Sequence, residues 1–305
     1  MQRITTPFGF HSTAAEVAAE CDLSEKRIIV TGGAAGLGAE TARVLAGAGA
    51  AVTLAVRRPE TAHAFAMELR SATGNKAVEV RPLDLADLRS VRSFVEDWSG
   101  PLHVLVNNAG VMAVPTLQLT TQGHELQFGT NYLGHFALVM GLRSSLAAAR
   151  GARVVSLSSS GHLFSPVMLE DLHFDFVPYE PIVAYGRSKT ATALLSVGIT
   201  DRWSSDGILS NAVNPGAIAT GLQKHTGGLK TPLERRKTVE QGAATTVLLA
   251  ASSLLDGVGG RYFEDCNEAA TVSRRPADLS GGVAPYALDP ESAERLWAVS
   301  EHLIS

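Results

Sequence analysis

Three kinds of side chain in this sequence are spaced to move a proton. Tyr185 and Lys189 stand four residues apart in Tyr185-Gly186-Arg187-Ser188-Lys189, so on a helix they project from the same face. Upstream, the run Arg153-Val154-Val155-Ser156-Leu157 breaks into three consecutive hydroxyls, Ser158, Ser159 and Ser160. A serine at the end of a strand could then face a phenol that has an ammonium beside it. A phenol near its usual pKa of ~10 is a poor acid or base at neutral pH, and a neighbouring cation lowers that value by favouring the phenolate. Tyr and Lys at this spacing also decorate many helix surfaces, the Lys stem packed on the ring. The pair gains meaning only from the elements that position it.

Those elements alternate. Arg27-Ile28-Ile29-Val30 reads as a short buried strand running into Thr31-Gly32-Gly33-Ala34-Ala35-Gly36-Leu37-Gly38, and a helix follows to about Gly47. Further strands are expected at 51–56, 77–80, 102–106, 153–157, 209–213 and 260–263. Helices are expected at 59–72, 87–98, 122–149, from near Tyr185 to about Ser204, and at 238–254. Alternation about every 25 residues predicts an α/β fold, a doubly wound (Rossmann) parallel sheet of seven strands in a single domain. Nearly continuous apolar strands predict burial on both faces. Residues 1–26 read as an arm with a short helix capped by Ser12 or Thr13, and Phe8 and Phe10 are expected to dock it on the body. The catalytic domain is assigned to 27–270, and 271–305 to a C-terminal extension packed upon it.

Composition narrows the function classes. A chain of 305 residues with 45% hydrophobic content has enough for a large core, and 29 glycines suit a turn-rich α/β enzyme. A net charge of −4 gives no electrostatic reason to expect nucleic acid or an anionic membrane. Cys21 and Cys266 are too few and too far apart for a disulfide framework, and the nine histidines show no metal-ligand spacing, so no metal is expected. No apolar run approaches the ~18 residues needed to span a bilayer, and the first 26 lack a signal-peptide core. The default expectation is a soluble, cytoplasmic protein.

The first strand-turn-helix is a nucleotide signal. Glycines let the backbone approach a pyrophosphate, and a helix N-terminus offers unpaired N–H groups and a favourable dipole. Its spacing is G-x-x-x-G-x-G, through Gly32, Gly36 and Gly38. A carboxylate at the end of the second strand would select NAD. Here Val56 is followed by Arg57-Arg58, two guanidiniums that suit a 2′-phosphate. NADP(H) is therefore favoured over NAD(H), against the plainer reading of two arginines solvating a turn.

At this point the sequence resembles the short-chain dehydrogenase/reductase family across roughly residues 24–270. The resemblance is carried by Thr31-Gly32-x-x-x-Gly36-x-Gly38, Asn107-Asn108-Ala109-Gly110, Asn131, the serine run, Tyr185-x-x-x-Lys189 and Asn214-Pro215-Gly216. Within the family, Asn131-Tyr132-Leu133-Gly134-His135-Phe136 and Leu296-Trp297-Ala298-Val299-Ser300 resemble the retinol-dehydrogenase-like and WW-domain-oxidoreductase-like branch. The resemblance implies Tyr185 as general acid in carbonyl reduction or base in alcohol oxidation, and Lys189 as the group that lowers its pKa and holds the nicotinamide ribose. It implies Ser159 as the catalytic serine, with Ser158 the alternative, and Asn131 as holder of a water linking Lys189 to solvent. Gly32, Gly36, Leu37 and Gly38 would cradle the cofactor phosphates. Asp84 and Leu85 would lie beside the adenine, and Asn108, Ala109 and Gly110 beside the adenosine ribose. Pro215 and Gly216 would border the nicotinamide, with Thr220 reaching its phosphate or amide. Homodimers or homotetramers are common in such a family.

Two departures bear on the substrate. Gly33 stands where NADP-preferring members often carry a base, so Arg57 and Arg58 must do that work. Between Ser159 and Tyr185 the segment 161–184 is longer than is usual and holds Phe164, Met168, Leu172, Phe174, Phe176 and Tyr179. It reads as a wall for a bulky, lipophilic carbonyl or alcohol, or else as a rigid flap packed on the body. Residues 217–237, with Thr226-Gly227-Gly228, read as a mobile lid. The leading expectation is an NADP-dependent oxidoreductase. A nucleotide-binding regulator, or a non-redox lyase or epimerase on the same fold, are the alternatives.

Overall fold

In the computed structural model, which describes residues 3–305, the first strand shows how the core is divided. Strand β1 (Arg27–Thr31) sends Ile28 and Val30 to one side and Ile29 to the other, as strand side chains alternate, and all three are fully buried. Seven further strands join it: β2 (Ala51–Val56), β3 (Val78–Pro82), β4 (Val104–Asn107), β5 (Ala152–Leu157), β6 (Ile208–Asn214), β9 (Arg261–Glu264) and β10 (Asn267–Glu268). Between the last of these and β6, the two-residue strands β7 (Ala217–Ile218) and β8 (Arg236–Lys237) pair with each other. The main sheet runs β10-β9-β6-β5-β4-β1-β2-β3, parallel throughout except where β10 pairs antiparallel with β9. The chain steps outward from β1 to β3, then returns to β4 and steps the other way. That reversal opens a crevice outside the carboxyl ends of β1 and β4.

Helices fill both faces. One face is covered by α1 (Ala14–Ala18), α2 (Gly36–Gly47), α3 (Pro59–Thr73) and α8 (Val239–Ala251), which bring Val17, Leu45, Leu69 and Val247 onto Ile28 and Val30. The other carries α4 (Leu88–Glu96), α5 (Leu126–Phe128), α6 (Gly134–Ala148), α7 (Pro181–Trp203) and α9 (Pro290–Ile304), whose Phe94, Phe128, Phe136, Leu194 and Trp297 share a cluster with Ile29. The doubly wound parallel architecture is the one the alternation predicts.

The strand count differs: the main sheet has eight strands among the described residues, not seven. The extra strand, β10, follows a reversal in which Asp265 and Cys266 adopt φ of 48° and 60°, a left-handed conformation that non-glycine residues rarely take. The Cys266 N–H is held there by Thr245 Oγ1 at 2.9 Å. With no glycine or asparagine at the corner, nothing local in the sequence marks it. The long helix expected over 122–149 is also divided. Its first residues form a turn closed by Thr120 N–H to His124 O at 2.7 Å, and a π-helical turn over Gly129–Leu133 separates α5 from α6.

The two ends of the chain are tied down. Residues 1 and 2 of the predicted arm lie outside the described residues. Thr13, not Ser12, caps α1, in a reciprocal box with Glu16. Ile4 N–H reaches Glu268 Oε2 at 2.8 Å and Thr6 N–H reaches Asn267 Oδ1 at 2.7 Å, so the arm follows β10. Phe8 packs on the core and the Phe10 ring lies 5.0 Å from Lys237 Nζ. At the other end Trp297 meets Phe136 and Trp203 edge-on, at 4.9 and 5.3 Å between ring centroids.

Candidate active site

Every residue singled out from the sequence for chemistry or cofactor contact lies at or just beyond a carboxyl strand end, or on a helix that faces one. The glycine turn leaves β1 and opens α2, whose N-cap position, Ala35, offers no side-chain hydrogen bond. The first N–H groups of α2 are therefore free for an anion. Gly38 permits the tightness of the turn: a Cβ there would lie 2.4 Å from Gly32 O and 2.5 Å from Asn108 Nδ2. Asn108 Nδ2 donates to Thr31 O at 2.7 Å, which locks the end of β4 to the glycine turn and carries Ala109 and Gly110 with it. Thr220, across the crevice, has its Cγ2 3.6 Å from where a Gly36 Cβ would stand. Thr220, Gly221, Gln223, Lys224 and Leu229 line an open hollow of about 410 Å³ within the segment 217–237. Pro215 and Gly216 follow β6, the Gly216 N–H bonding Asn214 Oδ1 at 3.2 Å.

Past β2, Arg57 and Arg58 are exposed, and among the described residues neither guanidinium has an ion pair or hydrogen bond. Asp84 and Leu85 follow β3; Asp84 Oδ1 accepts from Ala86 N–H at 2.9 Å, and Leu85 is buried against Gly134. These groups form the outer half of the crevice.

The inner half holds the proton-transfer set. Ser158 and Ser159 follow β5 but differ in direction. Ser158 Oγ is buried and donates to Lys189 O at 2.8 Å. Ser159 Oγ accepts from Gly161 N–H at 3.0 Å and lies on the side of the turn where Gly161 meets the Tyr185 ring. Gly161 makes this approach possible, since a Cβ there would come within 2.6 Å of Tyr185 Cε1. Tyr185 and Lys189 share a face of α7, with Lys189 Nζ 5.7 Å from the Tyr185 ring centroid and donating to Leu157 O at 2.7 Å.

Burial dominates the electrostatics of this set. Burial pushes the Tyr185 phenol up to about 12, with Ser159 opposing, and burial pushes the Lys189 ammonium down to about 8. Desolvation of the charged form is the leading cause in both cases. A neutral phenol beside a buried ammonium is the resting state at pH 7.

Asn131 lies in the π-helical turn, beside Gly110 and Lys189. Its Nδ2 donates to Val111 O and Ser188 Oγ, both at 2.9 Å, and its Oδ1 accepts from Val111 N–H at 2.8 Å. Both amide hydrogens are thus used in pinning the loop after β4 to α7. Four residues outside the predicted set also build this region. Thr31 Oγ1 accepts from the N–H groups of Asn108 and Ala109 at 2.9 and 3.0 Å, and meets His135 Nε2 at 2.9 Å. His135 Nδ1 in turn faces Asn131 O at 2.9 Å. Fully buried His162 and Tyr262 stand behind Ser159. The available signal was a polar residue on an otherwise apolar helix, as for His135, or a histidine three residues past the serine.

The segment 161–184 is packed more than it is open. Asp171 accepts from the N–H groups of Asp175, Phe176 and Val177 at 2.7, 3.3 and 3.1 Å. Arg187, buried, donates to Asp171 O at 2.8 Å and lies 4.2 Å from the Phe174 ring centroid. Tyr179 Oη donates to Val114 O at 2.9 Å. Phe174 is buried in this lattice and Leu172 joins the core, while Phe164 and Met168 are half-buried and Phe176 is 88% exposed. Among the described residues no cluster of His, Cys, Asp and Glu is arranged to hold a metal, and no helix is long and apolar enough to cross a membrane.

A doubly wound sheet with a glycine turn at its switch point, and serine, tyrosine and lysine beside it, defines a nicotinamide-dependent oxidoreductase by class. Comparison with known proteins makes the assignment specific. The family model described as short chain dehydrogenase matches residues 26–228. A protein of Streptomyces antibioticus described as "Probable oxidoreductase" is 54% identical over 290 residues, 90% of this chain and 96% of its own length. A polyprenol dehydrogenase of Mus musculus is 38% identical, over 88% of this chain and 81% of its own. A solved structure of an uncharacterized protein from Mycobacterium paratuberculosis superposes with a TM-score of 0.75 at 35% identity, covering 94% of this chain and 96% of that one. The chain belongs to the short-chain dehydrogenase/reductase family.

Proposed function

We propose that this protein transfers a hydride between NADP(H) and a carbonyl or alcohol on a bulky, apolar molecule, with Tyr185 as the general acid in reduction and the base in oxidation. The observation that carries the reading is the convergence of Ser159, Tyr185 and Lys189 beside the crevice that the glycine turn opens. The nicotinamide supplies or takes the hydride when bound. The residues present suit that group: the uncapped N-terminus of α2 with Gly32, Gly36, Leu37 and Gly38 for the pyrophosphate, and the unpaired Arg57 and Arg58 for a 2′-phosphate. Asp84, Leu85, Asn108, Ala109 and Gly110 would line the adenosine half. Pro215, Gly216 and Thr220 would border the nicotinamide half.

In reduction, the neutral Tyr185 phenol gives its proton to the carbonyl oxygen while the Ser159 hydroxyl donates a second hydrogen bond to the same atom. The ammonium of Lys189 stabilises the phenolate left behind. Asn131, pinned by Val111 and Ser188 through its amide and facing His135 Nδ1 through its carbonyl, would hold the water that links Lys189 to solvent and returns the proton. Of the apolar side chains singled out in 161–184, Phe176 is the most exposed, while Met168 meets Arg187 and Phe164 lies under Arg275, so Phe176 is the one most open to an apolar substrate. A relative named for polyprenol, a long lipid alcohol, agrees with that class.

The test is a fluorescence titration of NADPH and NADH into the protein and into Arg57→Ala. NADPH is expected to bind about tenfold or more tighter than NADH, the worth of one charge-assisted hydrogen bond, and Arg57→Ala to narrow the difference, with Arg58 keeping the remainder. Binding of neither nucleotide would overturn the reading.

A further inference from the structure

Behind the serine, one carbonyl oxygen gathers three donors. Ser159 O accepts from the His162 backbone N–H at 3.0 Å, from His162 Nδ1 at 2.6 Å and from the Tyr262 hydroxyl at 3.0 Å. The far side of the ring fixes its tautomer. His162 Nε2 faces the Ala284 N–H at 3.1 Å; an amide N–H can only donate, so Nε2 carries the lone pair and Nδ1 the proton. Tyr262 Oη is also 3.1 Å from Nδ1, and with that nitrogen protonated its own hydrogen goes to Ser159 O. The His162 carbonyl accepts from Tyr286 Oη at 2.8 Å and from Thr190 Oγ1 at 3.2 Å. The imidazole thus joins the serine turn to Tyr262 of β9 and to Ala284, while the His162 carbonyl ties the same residue to α7, one residue past Lys189, and to Tyr286.

We infer that His162 is a positioning residue for the proton transfer: locked in one tautomer and assisted by Tyr262, it holds the Ser159 carbonyl so that the Ser159 hydroxyl is directed at Tyr185. This rests on the roles proposed above for Ser159 and Tyr185. The ring is fully buried and touches no part of the crevice through its nitrogens. A purely space-filling role would be met by an apolar side chain, without the cost of burying a polar ring. Both nitrogens are instead matched, one to the serine turn and one to the C-terminal extension, which makes 284–286 a structural member of the site.

Two substitutions separate the two contacts. His162→Asn keeps a donor near the Nδ1 position, for Ser159 O, and gives up Ala284. His162→Gln reaches the Nε2 position, for Ala284, and gives up Ser159. With NADPH and 9,10-phenanthrenequinone as the probe carbonyl, His162→Gln should lose kcat by up to about a hundredfold, the effect of a misplacement of ~1 Å. Its KM for NADPH should not change, and His162→Asn should keep most of kcat. Equal kcat in the two variants, or losses that follow thermal stability in place of the Ser159 contact, would overturn the inference. Tyr185→Phe separates the two layers of argument. If it turns over like wild type, the active-site reading itself fails; if it is inactive while His162→Gln matches wild type, only the positioning role fails. A readout independent of turnover is the ¹³Cζ resonance of Tyr185 in tyrosine-labelled protein, assigned with Tyr185→Phe. It should move in His162→Gln and stay in His162→Asn, and an unmoved resonance in His162→Gln contradicts the role.

Discussion

Acidification should destabilise this protein well before its carboxylates are titrated away. His135 and His162 are buried, and burial pushes both from 6.5 down to about 4. They are neutral in the folded protein at pH 5, whereas in the unfolded chain they take up protons near their ordinary value. Unfolding therefore binds protons between pH 6.5 and 4, and stability falls as pH falls through that window. At 1.36 kcal/mol for each tenfold change in proton affinity, the two contribute about 3 kcal/mol apiece. The slope with both titrating is about 2.7 kcal/mol per pH unit, against a total stability of roughly 5–15 kcal/mol for a folded domain. His103, His124 and His173, also lowered by burial, act in the same direction. Glu125 and Glu264, raised by burial, oppose it near the acid end, since they protonate more readily in the folded state. Asp87 is held low by Arg89 and Gln122, so its contribution is lost only below that window. Urea unfolding at pH 7, 6, 5 and 4.5 measures the slope, and His135→Gln, which has no titrating ring, should remove about half of what the pair contributes. Stability that is flat from pH 6.5 to 4.5, or a variant slope equal to wild type, would refute the argument.

Two further substitutions test the packing that positions the site. Gly38→Ala drives a methyl group into Gly32 O and Asn108 Nδ2; the unfolding free energy from urea titration should fall by about 1–3 kcal/mol, as in other overpacked sites, and NADPH titration should show affinity down more than tenfold. Arg187→Met should cost about 1–3 kcal/mol through the loss of a charged hydrogen bond to Asp171. It should also make 170–180 more susceptible to limited proteolysis than in the wild-type protein.

The alternation of strands and helices, the glycine turn and the spacing of Tyr185 from Lys189 were all readable, because each follows from local periodicity or from spacing on one helix. Ser159 could be named but not separated from Ser158, since both follow the same strand and only the turn at Gly161 decides which hydroxyl meets the phenol. β10 was hidden because its corner uses two left-handed residues, Asp265 and Cys266, held by Thr245 from a distant helix. The burial that raises the Tyr185 phenol and lowers the Lys189 ammonium was hidden for a related reason: a sequence places a cation near a phenol but does not give the depth of either. The segment 161–184 looked like a substrate wall from its aromatic content, yet the buried Asp171–Arg187 framework commits Phe174 and Tyr179 to the body. His162 and Tyr262 escaped notice because 100 positions of sequence separate two residues that meet on one carbonyl.

The most direct measurement of the central claim is NADPH-dependent reduction of a lipophilic carbonyl by wild type and Tyr185→Phe, compared at equal nucleotide occupancy. The account predicts that Tyr185→Phe binds NADPH as wild type does and loses about 10²–10⁴-fold in kcat, the usual worth of a positioned acid. A Tyr185→Phe protein that reduces the carbonyl at the wild-type rate would contradict it.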